Sequence, residues 1–141
     1  MAFKPHEIEY LRSTDLGRLA TIAPDGTLQN SPVGFSYNDA LGTLDIVGYN
    51  MARSRKYRNL ATNNTVAFVV DDIASRSPWR VRCLEIRGTA EQAETDSPGD
   101  GIDTAIIRIT PKRIISFGID DTETEPHDLV PDSRDVPTTG D

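Results

Sequence analysis

Four cations fall within six positions of the segment NMARSRKYRN, residues 50–59: Arg53, Arg55, Lys56 and Arg58, with Ser54 between the first two. The segment reads as the start of a short helix, where the macrodipole favours negative rather than positive side chains. Cations gathered there ask for an anion. Ser54 offers a hydroxyl, the helix start offers free backbone N–H groups, and Arg55 and Lys56 offer charge-assisted donors, a set that suits phosphate. Taken alone, the cluster also reads as an ordinary solvated basic face.

Upstream, LQNSPVGFSY (residues 28–37) is strand-like. Val33, Phe35 and Tyr37 alternate on one face and suit a core, whereas Asn30, Pro32, Gly34 and Ser36 share the other. Pro32 has no N–H for a ladder and Gly34 has no side chain, so this second face is shallow and lets another group approach the backbone. It suits a flat ring system, or else an edge strand guarded by proline. One more strand, running into Gly48, Tyr49 and Asn50, separates this face from the basic cluster. Ring site and anion site would then be neighbours, and that conjunction favours the anion reading.

Other chemistry has little to work with. His6 and His127 lie at opposite ends of the chain, so no histidine pair suits a metal or a triad. Cys83 is the single cysteine and is expected as a small core residue. No glycine-rich phosphate loop is present. No side chain stands out as a nucleophile, so an enzyme built on this chain would draw its reactive atom from a bound cofactor.

The elements that must carry these residues are mostly strands. Pro5 and the Ile8/Leu11 spacing predict a short helix that breaks at Ser13 to Asp15. Two strand-like runs flank Pro24-Asp25-Gly26, a strong hairpin signal, and Thr43 to Tyr49 adds a third strand to the meander. The basic segment is a second helix. TVAFVVDDI reads as a buried strand, and WRVRCLEIRGTAEQAE as a long alternating one. A polar loop over residues 94–101 precedes two last strands, broken at Thr110-Pro111. Six or seven antiparallel strands with two or three short helices point to a mainly β, Greek-key-like barrel.

The length of 141 residues fits one domain. From residue 119 onward eight acids face only Arg134, which accounts for the whole net charge of −7 and leaves 14 acids and 14 bases in residues 1–118. A neutral body argues against nucleic acid as a partner. The acidic terminus, residues 119–141, has the composition of a disordered tail outside a domain of residues 1–118. No apolar run is long enough to span a membrane and no signal peptide opens the chain, so a cytoplasmic protein is expected.

The order of LGRLATIAPDGTLQNSPVGF, SRKYRNL, VAFVVDDIAS and PWRVRCLEIRG resembles the split β-barrel superfamily of pyridoxamine 5′-phosphate oxidases and flavin reductases. More narrowly, it resembles the actinobacterial branch that uses the deazaflavin coenzyme F420. The likeness spans residues 5 to about 118. It implies a homodimer with shared cofactor sites. Ser54, Arg55 and Lys56 match the phosphate-binding motif, and Asn30, Ser31, Pro32, Val33 and Gly34, followed by Tyr49, match the lining of the ring. Trp79 and Arg80 match positions that reach the site from the partner chain. Cys83 stands where the oxidases carry a glutamine, and their C-terminal substrate-phosphate residues have no counterpart, which argues against pyridoxamine phosphate oxidation. The implied activity is hydride transfer from reduced F420 to an electron-poor small molecule such as an enone, quinone-like ring or tetrapyrrole. An FMN-dependent reductase or oxidase, or a non-catalytic carrier of cofactor or a haem-like ligand, are the alternatives.

Overall fold

The computed structural model describes residues 2–96 and 100–137 of the chain. Helix α1 (Pro5–Arg12) opens on proline, whose fixed φ suits a first turn. Glu7 reaches back to accept the Lys4 N–H at 2.8 Å, and the helix stops where the Ser13 hydroxyl donates to the Tyr10 carbonyl at 2.7 Å. Tyr10 and Leu11 are buried beneath it.

Strands β1 (Leu16–Ile22), β2 (Leu28–Asn38) and β3 (Thr43–Val47) form the expected antiparallel meander. A 3₁₀ turn at Met51–Arg53 leads into helix α2 (Arg55–Asn59). Strand β4 (Thr65–Arg76) then returns beside β1, pairs with β5 (Trp79–Glu94), and β5 pairs with β6 (Ala105–Phe117). The barrel closes where β3 meets β6, with Asp45 opposite Arg108. Two nearly parallel hydrogen bonds, at 3.0 and 3.2 Å, staple that seam. Six strands thus make a split antiparallel barrel, and a seventh extends the sheet beside β6.

The alternation seen in sequence sorts the two faces. Leu84 and Ile86 of β5 point inward with Val66, Phe68 and Val70 of β4 and Ile107, Ile109 and Ile114 of β6, while Phe35 meets Phe68 edge-on at 5.2 Å between centroids. Burying such side chains stabilises by roughly 1.5–3 kcal/mol each. Cys83, expected in this core, instead sits half-buried on the outward face between Leu84 and Arg82. Burial, then Asp71 and Glu85, pushes its thiol up to about 11, so it stays protonated near neutral pH.

Two further expectations need correction. Pro111 does not break the last strand: β6 runs through it, with Pro111 opposite Gly88 and a register shift between Gly88 and Arg87 that leaves Lys112 as the extra residue. The acidic terminus does not lie outside the fold. A 3₁₀ turn at Pro126–Asp128 leads to strand β7 (Asp132–Asp135), which pairs antiparallel with residues 113–116 of β6. Burial of Glu7 is the reason, since its carboxylate takes two hydrogen bonds from Arg134, at 3.0 and 2.5 Å. Lys4 with Asp132 and Arg113 with Asp135 add ion pairs at the same edge. Residues 138–141 of the terminus and 97–99 of the polar loop lie outside the described residues.

Candidate cofactor site

Ser54 begins α2, and its geometry follows from being the cap. Its oxygen accepts the Tyr57 N–H at 3.3 Å, and its own proton goes to the Met51 carbonyl at 2.6 Å. The hydroxyl is therefore engaged in holding the helix rather than free to donate to an anion. With only five residues, α2 also carries little dipole. What remains of the phosphate argument is charge.

That charge has no carboxylate in direct contact. Arg12, Arg18, Arg82, Arg87, Arg108, Arg113 and Arg134 each have a carboxylate within ion-pairing distance. Among the described residues Arg53, Arg55, Lys56 and Arg58 have none; Arg76, Arg80 and Lys112 also have none, but only these four lie together, in a chain where acids outnumber bases 22 to 15. Arg53, Arg55 and Arg58 are exposed, and Lys56 is half-buried.

Asn59, the last residue of α2, fixes the cluster in place. Its buried amide donates to Thr21 Oγ1 at 3.0 Å and to Gln29 Oε1 at 3.3 Å, tying the helix to β1 and β2. On the other side Gln92 of β5 donates to the Tyr57 carbonyl at 3.0 Å. A cleft of about 600 Å³ opens between α2 and the β1–β2 turn, with Arg55 on one wall and Asp25, Leu28 and Gln29 on the other. Asp25 accepts the Thr27 hydroxyl and N–H, which, with a weaker contribution from Arg55, hold its carboxyl below the usual range.

The expected neighbours do meet: the first half of β2 reaches the cluster through Gln29 and Asn59. Along that half Asn30 and Pro32 are exposed and Gly34 is half-buried, all on the outer face, whereas Val33 is only 4% exposed and points inward. Ser31 shares the inward face, and its enclosed hydroxyl has no hydrogen-bond partner among the described residues. Strand β3 pairs β2 only from Gly34 onward, so Leu28 to Val33 have β1 alone as a partner. Tyr49 projects where β3 ends, 71% exposed, with its ring beside Gly101.

Trp79 and Arg80 are not brought to this cleft within one chain. They open β5, while Gln92, beside α2, lies near its end, roughly 40 Å away along the strand. Trp79 is 55% exposed, and Arg80 donates to the Thr124 carbonyl at 2.8 Å. Sequence reasoning passed over Asp25, Gln29 and Asn59. Only Asn59 left a signal, as an amide among the apolar positions of the helix.

The profile of the pyridoxamine 5′-phosphate oxidase family matches residues 3–117. A 5a,11a-dehydrotetracycline/5a,11a-dehydrooxytetracycline reductase of Streptomyces rimosus subsp. rimosus is 45% identical over 122 residues, spanning 85% of this chain and 86% of that protein. Among solved structures, an F420 reductase is 28% identical, with a TM-score of 0.56 over 75% of this chain and 94% of its own. A conserved hypothetical protein from Mycobacterium tuberculosis shares the fold, with a TM-score of 0.66 at 20% identity over 84% of this chain and 86% of its own.

Proposed function

The chain belongs to the pyridoxamine 5′-phosphate oxidase family, and from that premise we propose that it is a reductase that binds coenzyme F420 and saturates a conjugated carbon–carbon double bond of an electron-poor polycyclic acceptor. The observation that carries the cofactor reading is the cluster of cations without a carboxylate in contact, of which Arg55 lines the cleft beside β2. The acceptor class follows the dehydrotetracycline reductase, whose name specifies loss of one ring double bond.

The residues present fit a flat, phosphate-bearing group. Arg55 and Lys56 hold the phosphate by charge-assisted contacts, and Arg53 and Arg58 add to the local field. The outer face of β2, where Asn30, Pro32 and Gly34 leave little relief, takes the ring, with exposed Leu28 and Tyr49 flanking it. Reduced F420 supplies the hydride when bound. The chain's share of catalysis is anchoring, orientation and exclusion of water, with Trp79 contributed across a homodimer interface.

Titration with F420 tests the reading. Arg55→Ala and Lys56→Ala should each remove a contact of about 1.5–3 kcal/mol and weaken binding roughly ten- to hundredfold. The loss should shrink as salt is raised, and it should be small for the deazaflavin ring without its phosphate. Equal losses for both ligands, or none, would return the segment to an ordinary basic face. Tight binding of FMN with no binding of F420 would keep the site and change the cofactor.

A further inference from the structure

Beyond the barrel, β4 and β5 continue as a ribbon of two strands. Strand β1 pairs with β4 only as far as Val69, and β6 pairs with β5 only back to Cys83. From Asp72 to Arg82 the two strands have only each other, with a register shift between Ile73 and Ser75. A two-stranded ribbon in water is marginally stable without something packed against it. Trp79 sits at its tip.

Two supports are visible. At the base, Asp72 accepts the Tyr10 hydroxyl and the Arg82 Nε, both at 2.8 Å. Near the tip, the support comes from the acidic terminus. The chain leaves β6 at Gly118, where φ is +76° and a Cβ would stand 2.2 Å from the Val81 carbonyl oxygen, so only glycine lets it run this close to β5. Asp121 then accepts the Glu123 and Thr124 N–H groups at 3.0 and 2.9 Å and the Thr124 hydroxyl at 2.5 Å. That turn presents the Thr124 carbonyl to Arg80 Nη2 at 2.8 Å. Strand β7, locked by Arg134 on Glu7, anchors the far end of the segment.

We propose that residues 118–128 form a brace that holds the projecting β4–β5 ribbon, and with it Trp79, in its working position, so that Arg80 is a positioning residue rather than a cofactor ligand. The consequence for function rests on the reading that Trp79 serves the cofactor site. On that reading the terminus sets the site's geometry without touching its contents.

Trp79 is the chain's only tryptophan, so its fluorescence reports on the ribbon tip without a label. In the full-length protein, Asp121→Ala removes the acceptor that shapes the turn, and Asp121→Asn keeps one acceptor oxygen. The alanine variant should lower Trp79 anisotropy and raise its quenching by acrylamide, with the thermal midpoint little changed. It should weaken F420 binding roughly two- to tenfold, as expected when one side chain must be ordered on binding. The asparagine variant should lie close to wild type in all three. Unchanged anisotropy in the alanine variant would overturn the brace, whereas a loosened Trp79 with unchanged F420 affinity would keep the brace and overturn the part given to it at the cofactor site. Undiminished F420 affinity in Arg55→Ala would instead strike the cofactor reading, leaving the anisotropy result, which needs no cofactor, to stand.

Discussion

Glu7 has no solvent exposure, yet it lies in a short helix on a small barrel. Burial pushes its carboxyl up, but hydrogen bonds from Arg134, Ser116 and the Lys4 N–H together hold it below its ordinary value. A carboxylate depressed in this way contributes stability above the unfolded pKa, near 4.5, and loses it as pH falls through the lower folded value. Removing Arg134 leaves burial opposed only by Ser116 and Lys4, so Glu7 should titrate at higher pH. Breaking such a pair costs about 3 kcal/mol, toward the low end for buried pairs because the Arg134 head keeps some contact with water. Urea denaturation of wild type and Arg134→Ala should differ by that amount at pH 7, and the gap should close as pH drops below the ordinary carboxylate range. A gap that stays constant from pH 7 to pH 3.5 would show that Glu7 is not its source.

At the scale of elements, periodicity made most of the barrel readable. The alternating run Trp79–Glu94 became β5 with those bounds, and the Asp-Gly turn became the β1–β2 hairpin. What escaped was decided by contacts distant in sequence. Strand β7 reads Asp-Ser-Arg-Asp, with no apolar residue to mark it, and it forms because Arg134 meets a carboxylate 127 positions away. Pro111 reads as a break, and is absorbed because Gly88 across the ladder leaves room for the bulge. A Cβ at Gly88 would stand 2.1 Å from the Thr110 carbonyl oxygen and 3.2 Å from the Lys112 nitrogen, backbone atoms that cannot swing aside. Gly88→Ala should therefore destabilise by about 2–3 kcal/mol and lower the thermal midpoint by roughly 5–10 °C. Calorimetry showing a shift of only a degree would mean that the bulge relaxes at little cost. In the candidate site the basic residues were legible by type and the burial of Val33 by strand alternation, whereas the engagement of Ser54 and Arg80 depends on partners the sequence does not place.

For the molecule as a whole, the site residues gather only in part. Arg55, Lys56, Asn30 and Pro32 stand at one end of the barrel, and Trp79 stands at the far end of the longest strand. One chain does not bring Trp79 to the cleft, and on the proposed reading a second copy of the chain would supply it. The outer sheet face carries an apolar patch: Leu16 of β1 at 60% exposure and Ile73 of β4 at 40%, with Val69 half-buried between β1 and β5. The Arg18–Asp71 and Arg87–Glu85 pairs lie on the same face. Sedimentation at micromolar concentration should show a dimer. Leu16→Lys places a charge on the exposed apolar part of that face and should shift the protein to monomers, with F420 affinity falling in step if a partner's ribbon completes the site. A wild-type monomer that binds F420 as tightly as any variant would show that one chain suffices, and Trp79 would then have no part in holding the cofactor.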